Sequence, residues 1–231
     1  MLSVRSRDQV PIVRTVLWPT GRQLLVRLPR LVVGLTIISF GIALMARSGA
    51  GLSPYDVMHQ GISRHSPLSL GQASIVTGLV VLLLWFPLRQ IPGLGTAVNI
   101  VGVGLGVDKF LLLFTEPASV ASRCVFTVTG VLLVGLGIGL YIGAGLGPGP
   151  RDGLMTGLAN RGFTIWRVRF GLEASALLAG WLLGGTVGPG TLLYAAAVPF
   201  LAQASLRTLS VVDDLVGRPA YRGEASCPDD T

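Results

Sequence analysis

Gly49-Ala50-Gly51-Leu52-Ser53-Pro54-Tyr55-Asp56 recurs as Gly145-Leu146-Gly147-Pro148-Gly149-Pro150-Arg151-Asp152, a constant shift of 96 positions (152 − 56). The same shift superposes Gly34 on Gly130, Gly41 on Gly137, Ile42 on Ile138, Leu44 on Leu140 and Gly61 on Gly157. One residue of slippage later, Gly93-Leu94-Gly95-Thr96 falls on Gly188-Pro189-Gly190-Thr191. A period this long, carried by Gly, Pro and Asp as well as by interchangeable apolar residues, marks a duplicated unit.

The unit is membranous. Of 231 residues, 51% are hydrophobic and 13% charged, and the mean hydropathy is +0.68. That is about half the charge of an ordinary soluble domain and too little polar surface to cover a globule in water. Apolar stretches at 31–47, 71–88, 93–114, 124–142, 168–184 and 189–206 each approach the ~17–25 residues that cross a bilayer core. The expected fold is an all-α, polytopic membrane helical bundle of about six spans. Residues 28–115 form the first repeat and 116–208 the second, flanked by a cytoplasmic arm (1–27) and a cytoplasmic tail (209–231).

Arginine sets the orientation, because cytoplasmic loops hold an excess of Lys and Arg. With the amino end inside, the inner face collects Arg5, Arg7, Arg14, Arg22, Arg27, Arg30, Arg89, Arg151, Arg161, Arg167, Arg169, Arg207, Arg218 and Arg222. The outer face keeps only Arg47, Arg64 and Arg123. Both termini are then cytoplasmic and the membrane is the cell membrane. The net charge of +7 describes an inner surface suited to anionic lipids; the arginines form no continuous stripe, which argues against nucleic acid as a partner. Arg5, Arg7 and Asp8 interrupt any leader-like apolar core at the amino end. Cys124 and Cys227 fall on opposite sides, so no disulfide or metal site is expected from them.

Three spans per repeat turn the second copy over relative to the first, giving two inverted three-helix repeats about an axis in the membrane plane. The Gly-rich segments then break the chain at opposite faces, each followed by a helix of about ten residues, too short to span and either interfacial or re-entrant. Ser53 can cap, Pro54 suits the first helical position and Asp56 meets the positive end of the helix dipole; Gly149, Pro150 and Asp152 repeat the order.

These residues, followed by Gly61-Ile62-Ser63, Ser69-Leu70-Gly71, Trp85-x-Pro87 and Gly93-x-Gly95-Thr96 with Asn99, resemble the YczE/YyaS/YitT family of bacterial integral membrane proteins. The resemblance covers about residues 27–208. It implies a multi-pass inner-membrane protein for which transport or efflux is suspected, and it supplies no catalytic residues. Arg151 stands where Tyr55 does in the first copy, and Gly149 where Ser53 does.

Candidate residues follow from cost. Asp56 and Asp152 either cap their helices, worth about 0.3–1 kcal/mol, or gate a path from opposite mouths. Arg151 beside Asp152 reads as a surface charge or an ion-pair latch, the surface reading being favoured. Within the spans an unpaired charge costs at least ~2.5–3.5 kcal/mol. Glu173 has no obvious partner within its span unless Arg167 or Arg169 reaches it, and desolvation would suit it to proton coupling. Asp108 and Lys109 lie late in their span, where snorkelling explains them. Asn99 and Gln203 are neutral bridges or cavity residues. Thr96 and Thr191 read as helix starts. His59 and His65, six apart, do not share a face as a zinc pair would.

No catalytic set or dinucleotide site is visible, so an enzyme and a cofactor are not expected. What remains is a secondary transporter of a small solute, with a polar cavity between the halves holding Glu173, Asn99 and Asp108. The alternative is a non-transporting membrane accessory or scaffold protein with a dry interior.

Overall fold

The computed structural model describes residues 21–215. The arm before residue 21, the end of the tail beyond 215 and Cys227 lie outside the described residues. The chain forms α1 (Gly21–Ser48), α2 (Pro54–His65), α3 (Leu70–Leu88), α4 (Leu94–Leu113), α5 (Val120–Gly143), α6 (Pro150–Ala159), α7 (Ile165–Leu182) and α8 (Pro189–Leu215). The order long, short, long, long therefore occurs twice. No strand is present among the described residues. Helix α8 continues past the expected boundary at 208 because no Gly or Pro interrupts the chain between Pro199 and Gly217.

At the centre α1 packs against α5. Added Cβ atoms show how closely: one on Gly34 would lie 3.0 Å from the Gly137 carbonyl oxygen, and one on Gly41 would lie 2.7 Å from that of Gly130. Gly34 and Gly41 are the counterparts of Gly130 and Gly137, so the contact is reciprocal, and the crosswise pairing makes the two helices antiparallel. Their carboxyl ends, where the Gly-rich breaks begin, consequently sit at opposite ends of the pair. The spacing is that of small-residue helix packing in membranes. Leu31, Leu35, Ile38, Val134 and Tyr141 complete this core, with Met45, Leu52, Val57, Val131 and Val198 in a second cluster.

Each break is built the same way. Gly49 and Gly51 have φ of 65° and 115°, and Gly145 and Gly147 have 64° and 134°, values that side-chain-bearing residues rarely adopt. Each is clasped by the other half: the Gly95 N–H donates to the Leu146 carbonyl and the Gly190 N–H to the Ala50 carbonyl, both at 2.8 Å. Thr96 and Thr191 stand in the first turns of α4 and α8, as expected. Thr96 accepts from the Gly93 N–H at 3.2 Å and donates to the Pro148 carbonyl at 2.7 Å.

The short helices also cross over. Gly180 of α7 lies against Val57 and Met58, and Gly61 against Leu183, while Gly153 of α6 meets Trp85 and Gly157 meets Leu88. Each short helix thus runs alongside the end of the other half's helix in the same direction, with its amino end the deeper one. Arg64 donates to the Gly184 carbonyl after α7, and Arg161 donates to the Pro87 carbonyl in the last turn of α3.

Among the described residues five helices are long and apolar enough to cross a membrane, at Arg27–Ser48, Leu70–Leu88, Leu94–Leu113, Val120–Gly143 and Pro189–Leu209. The expected sixth, α7, is an 18-residue helix, but Arg167, Arg169 and Glu173 give it a polar first half that its counterpart α3 lacks. Side chains such as Phe86, Leu112, Leu192 and Phe200 are exposed on the outside of the bundle. A surface this apolar belongs in lipid.

Candidate functional site

All eight helices border one cavity of about 530 Å³. Counterparts of the two halves both line it: Ile38 and Val134, Ile42 and Ile138, Ser53 and Gly149, Asp56 and Asp152, Thr77 and Glu173 at the 96-residue shift, and Asn99 and Tyr194 one residue short of it. The most direct of these is Tyr55 with Arg151, whose guanidinium carbon stands 5.3 Å from the tyrosine ring centre. The cavity therefore lies where the two copies meet, and both short helices begin on its wall.

The two helix starts differ in chemistry. At α2 the Ser53 hydroxyl accepts from the Asp56 N–H at 3.2 Å and donates to Asp56 Oδ2 at 2.5 Å. His59, one turn on, brings Nδ1 within 3.4 Å of Asp56 Oδ1. At α6 Gly149 has no side chain to cap with, and Asp152 Oδ1 lies 3.8 Å from Arg151 Nε. The Asp56 side chain is 13% exposed and that of Asp152 33%, so the capped carboxylate is also the more enclosed one. The Tyr141 hydroxyl donates to the Gly147 carbonyl at 3.2 Å and pins the break before α6.

Arg151 Nη1 is 3.9 Å from Glu173 Oε1, which accepts a hydrogen bond from Arg169 Nε at 3.1 Å. Burial works against the Arg151 charge, but Asp152 and Glu173 more than offset it, raising its pKa above the ordinary arginine value. The guanidinium is thus a fixed positive charge. Burial pushes the Tyr55 hydroxyl up, so its ring faces Arg151 as the neutral phenol.

Of the residues singled out from the sequence, Asp56, Asp152, Arg151, Glu173 and Asn99 line this cavity. Three expectations change. Arg151 is a cavity residue, because α6 is wedged against α3 and presents its first turn inward. Glu173 has partners in Arg169 and Arg151, so it is not the unpaired carboxylate that coupling by desolvation requires. Asp56 and Asp152 share one cavity instead of occupying opposite mouths. Asp108 lies elsewhere: its carboxylate accepts from the Ser69 hydroxyl at 2.5 Å and from the Gly71 N–H at 2.8 Å, capping α3. The register of α4 against α3 assigns it that work.

His59, Tyr55 and Tyr194 join the site without having been singled out for it, and Arg169, named from the sequence as a possible partner of Glu173, lines it too. The i, i+3 spacing of Asp56 and His59 and the i, i+4 spacing of Arg169 and Glu173 were available signals. Among the described residues no group of three His, Cys, Asp or Glu side chains is placed to hold a metal ion.

Comparison with known proteins agrees with the resemblance. Residues 25–206 match a family of unknown function, DUF6198. An uncharacterized protein of Haemophilus influenzae is 38% identical, over 78% of this chain and 83% of its own. The uncharacterized membrane protein YczE of Bacillus subtilis is 34% identical over 84% of this chain and 93% of its own, and the uncharacterized protein YyaS of the same organism 29% over 70% and 83%. No solved structure matches.

Proposed function

From the premise that the chain belongs to the DUF6198 family of YczE-like bacterial membrane proteins, we propose that it is a secondary transporter of a small solute. Two inverted repeats would give alternating access to one site. The observation that carries this reading is the 530 Å³ cavity lined by counterparts from both copies. Transporters built from inverted repeats place their sites at such an interface, beside the amino ends of broken helices. The antiparallel α1–α5 pair supports the inversion, since it separates the two breaks to opposite ends. With α7 counted as a sixth span, its Arg169 and Glu173 on the cavity, both termini are cytoplasmic and the inner arginines face anionic lipids.

The accessory or scaffold reading draws support from the polar groups outside the cavity. Asp108, Arg64 and Arg161 are all spent on helix ends. It leaves the cavity charges without a purpose.

Topology is tested by reporter fusions after residues 118 and 226: the first should report outside and the second inside. Function is tested in proteoliposomes loaded with a panel of small solutes. Accelerated flux of one solute, lost in Arg151→Gln, is the expected result. Folded, inserted protein that moves nothing across a broad panel would favour the scaffold.

A further inference from the structure

Resting on that reading, the cavity also indicates what it takes. Most charged groups on its wall already hold hydrogen bonds: Asp56 accepts from Ser53, and Arg169 donates to Glu173. Arg151 and Asp152 do not. Among the described residues their nearest charged neighbours stand at 3.8 and 3.9 Å, beyond hydrogen-bond length. Both side chains are partly open, 26% and 33%, and both line the cavity. A guanidinium with five N–H donors and a carboxylate with two acceptor oxygens thus lie side by side with their capacity unused.

The rest of the wall narrows the occupant. Ile38, Ile42, Val134 and Ile138, which belong to one hydrophobic cluster, give the wall an apolar part. Besides His59, the site sets the carboxylates of Asp56, Asp152 and Glu173 against the guanidinium groups of Arg151 and Arg169. An anion alone would fill the Arg151 donors but leave the Asp152 oxygens without a donor at hydrogen-bond length; a cation alone would do the reverse. Burying either group unpaired is costly.

We infer that the cavity binds a small zwitterion with adjacent carboxylate and ammonium groups and an apolar body, the chemistry of an apolar α-amino acid. Its carboxylate pairs with Arg151, its ammonium with Asp152, and its side chain lies along the isoleucine and valine wall. The uncapped start of α6 adds a favourable field for the carboxylate.

The test uses the full chain in lipid nanodiscs, with L-phenylalanine, phenethylamine and 3-phenylpropanoate as probes. Phenylalanine should raise the unfolding temperature and bind about tenfold or more tighter than either one-charge analogue, as the loss of one charge-assisted pair implies. Arg151→Gln should erase the preference over phenethylamine, and Asp152→Asn the preference over 3-phenylpropanoate. Equal or tighter binding of an analogue to the wild type would overturn the inference, with no need for a folded variant. So would absence of binding by phenylalanine, leucine and tryptophan alike. Counterflow of labelled phenylalanine in proteoliposomes separates the two claims. Binding without flux retires transport and keeps the zwitterion site, whereas flux of a one-charge solute alone keeps transport and retires the zwitterion.

Discussion

Helices α2 and α6 begin with the same Gly-rich break and the same Pro-x-Asp turn, yet α2 holds its own cap whereas α6 holds a charge with no hydrogen bond. Backbone requirements account for what was kept: positive φ at Gly49, Gly51, Gly145 and Gly147, and proline at the first helical position. Side chains account for what changed. Ser53 hydrogen-bonds Asp56 into the α2 cap, whereas Gly149 offers Asp152 no hydroxyl, and Arg151 and Asp152 line the cavity without such a bond. The two breaks share one backbone frame, and most of the charge on the cavity wall lies on α6 and α7.

The same contrast appears in packing. Trp85 of α3 is 2% exposed and donates to the Pro150 carbonyl at 2.9 Å, while its counterpart Trp181 of α7 is 62% exposed. The cause lies in the facing short helix: Gly153 leaves room for the Trp85 ring, and Val57 fills the equivalent space against α7. Replacing each tryptophan by alanine breaks this comparison most severely. Trp85→Ala should cost about 3–5 kcal/mol of stability, and Trp181→Ala about 0.5 kcal/mol or less, measured as thermal unfolding in matched nanodiscs. Equal losses would mean that the two halves pack alike.

Gly153→Ala sharpens the point with a smaller change. Its Cβ would lie 1.9 Å from Trp85 Cζ2, so overpacking of about 1–3 kcal/mol is expected. Val57→Ala, by contrast, should act as a simple core truncation, and the two effects should add in the double variant.

The aspartates separate structure from function. Asp108→Asn removes the charged cap on α3 and should cost about 1 kcal/mol while leaving solute flux intact. Asp152→Asn should barely move the unfolding temperature and should abolish flux. The smallest effect is expected from Gly149→Ser, which gives α6 the cap of α2. A few tenths of a kcal/mol of stability is the expected gain, with weaker solute binding as the new hydroxyl draws Asp152 back to the helix end.

Much of this frame was legible in the chain. The Gly, Pro and Asp punctuation marks backbone geometry that no other residues satisfy cheaply, so the breaks, both short helices and the repeat could be read directly. Asp56, Asp152, Arg151, Glu173 and Asn99 could be singled out because polar groups in an apolar chain need a reason. What each one touches depends on how helices distant in sequence align. Asp108 caps α3 only because α4 runs antiparallel to it in one register, and Arg151 faces inward only because Trp85 and Gly153 seat α6 on α3. The stretch 168–184 reads as a span by its apolar second half, yet Arg167, Arg169 and Glu173 lower the apolarity of the whole helix, and two of them, Arg169 and Glu173, line the cavity.

The central claim, one cavity reached in turn from both faces, is tested most directly by accessibility at Ser74, a small cavity-lining residue of α3. In a background with Cys124→Ser and Cys227→Ser, Ser74→Cys is exposed to a membrane-impermeant thiol reagent in right-side-out and in inside-out vesicles. Alternating access predicts labelling from both sides, slowed by a bound solute. Labelling from one side only, or from neither, would contradict it.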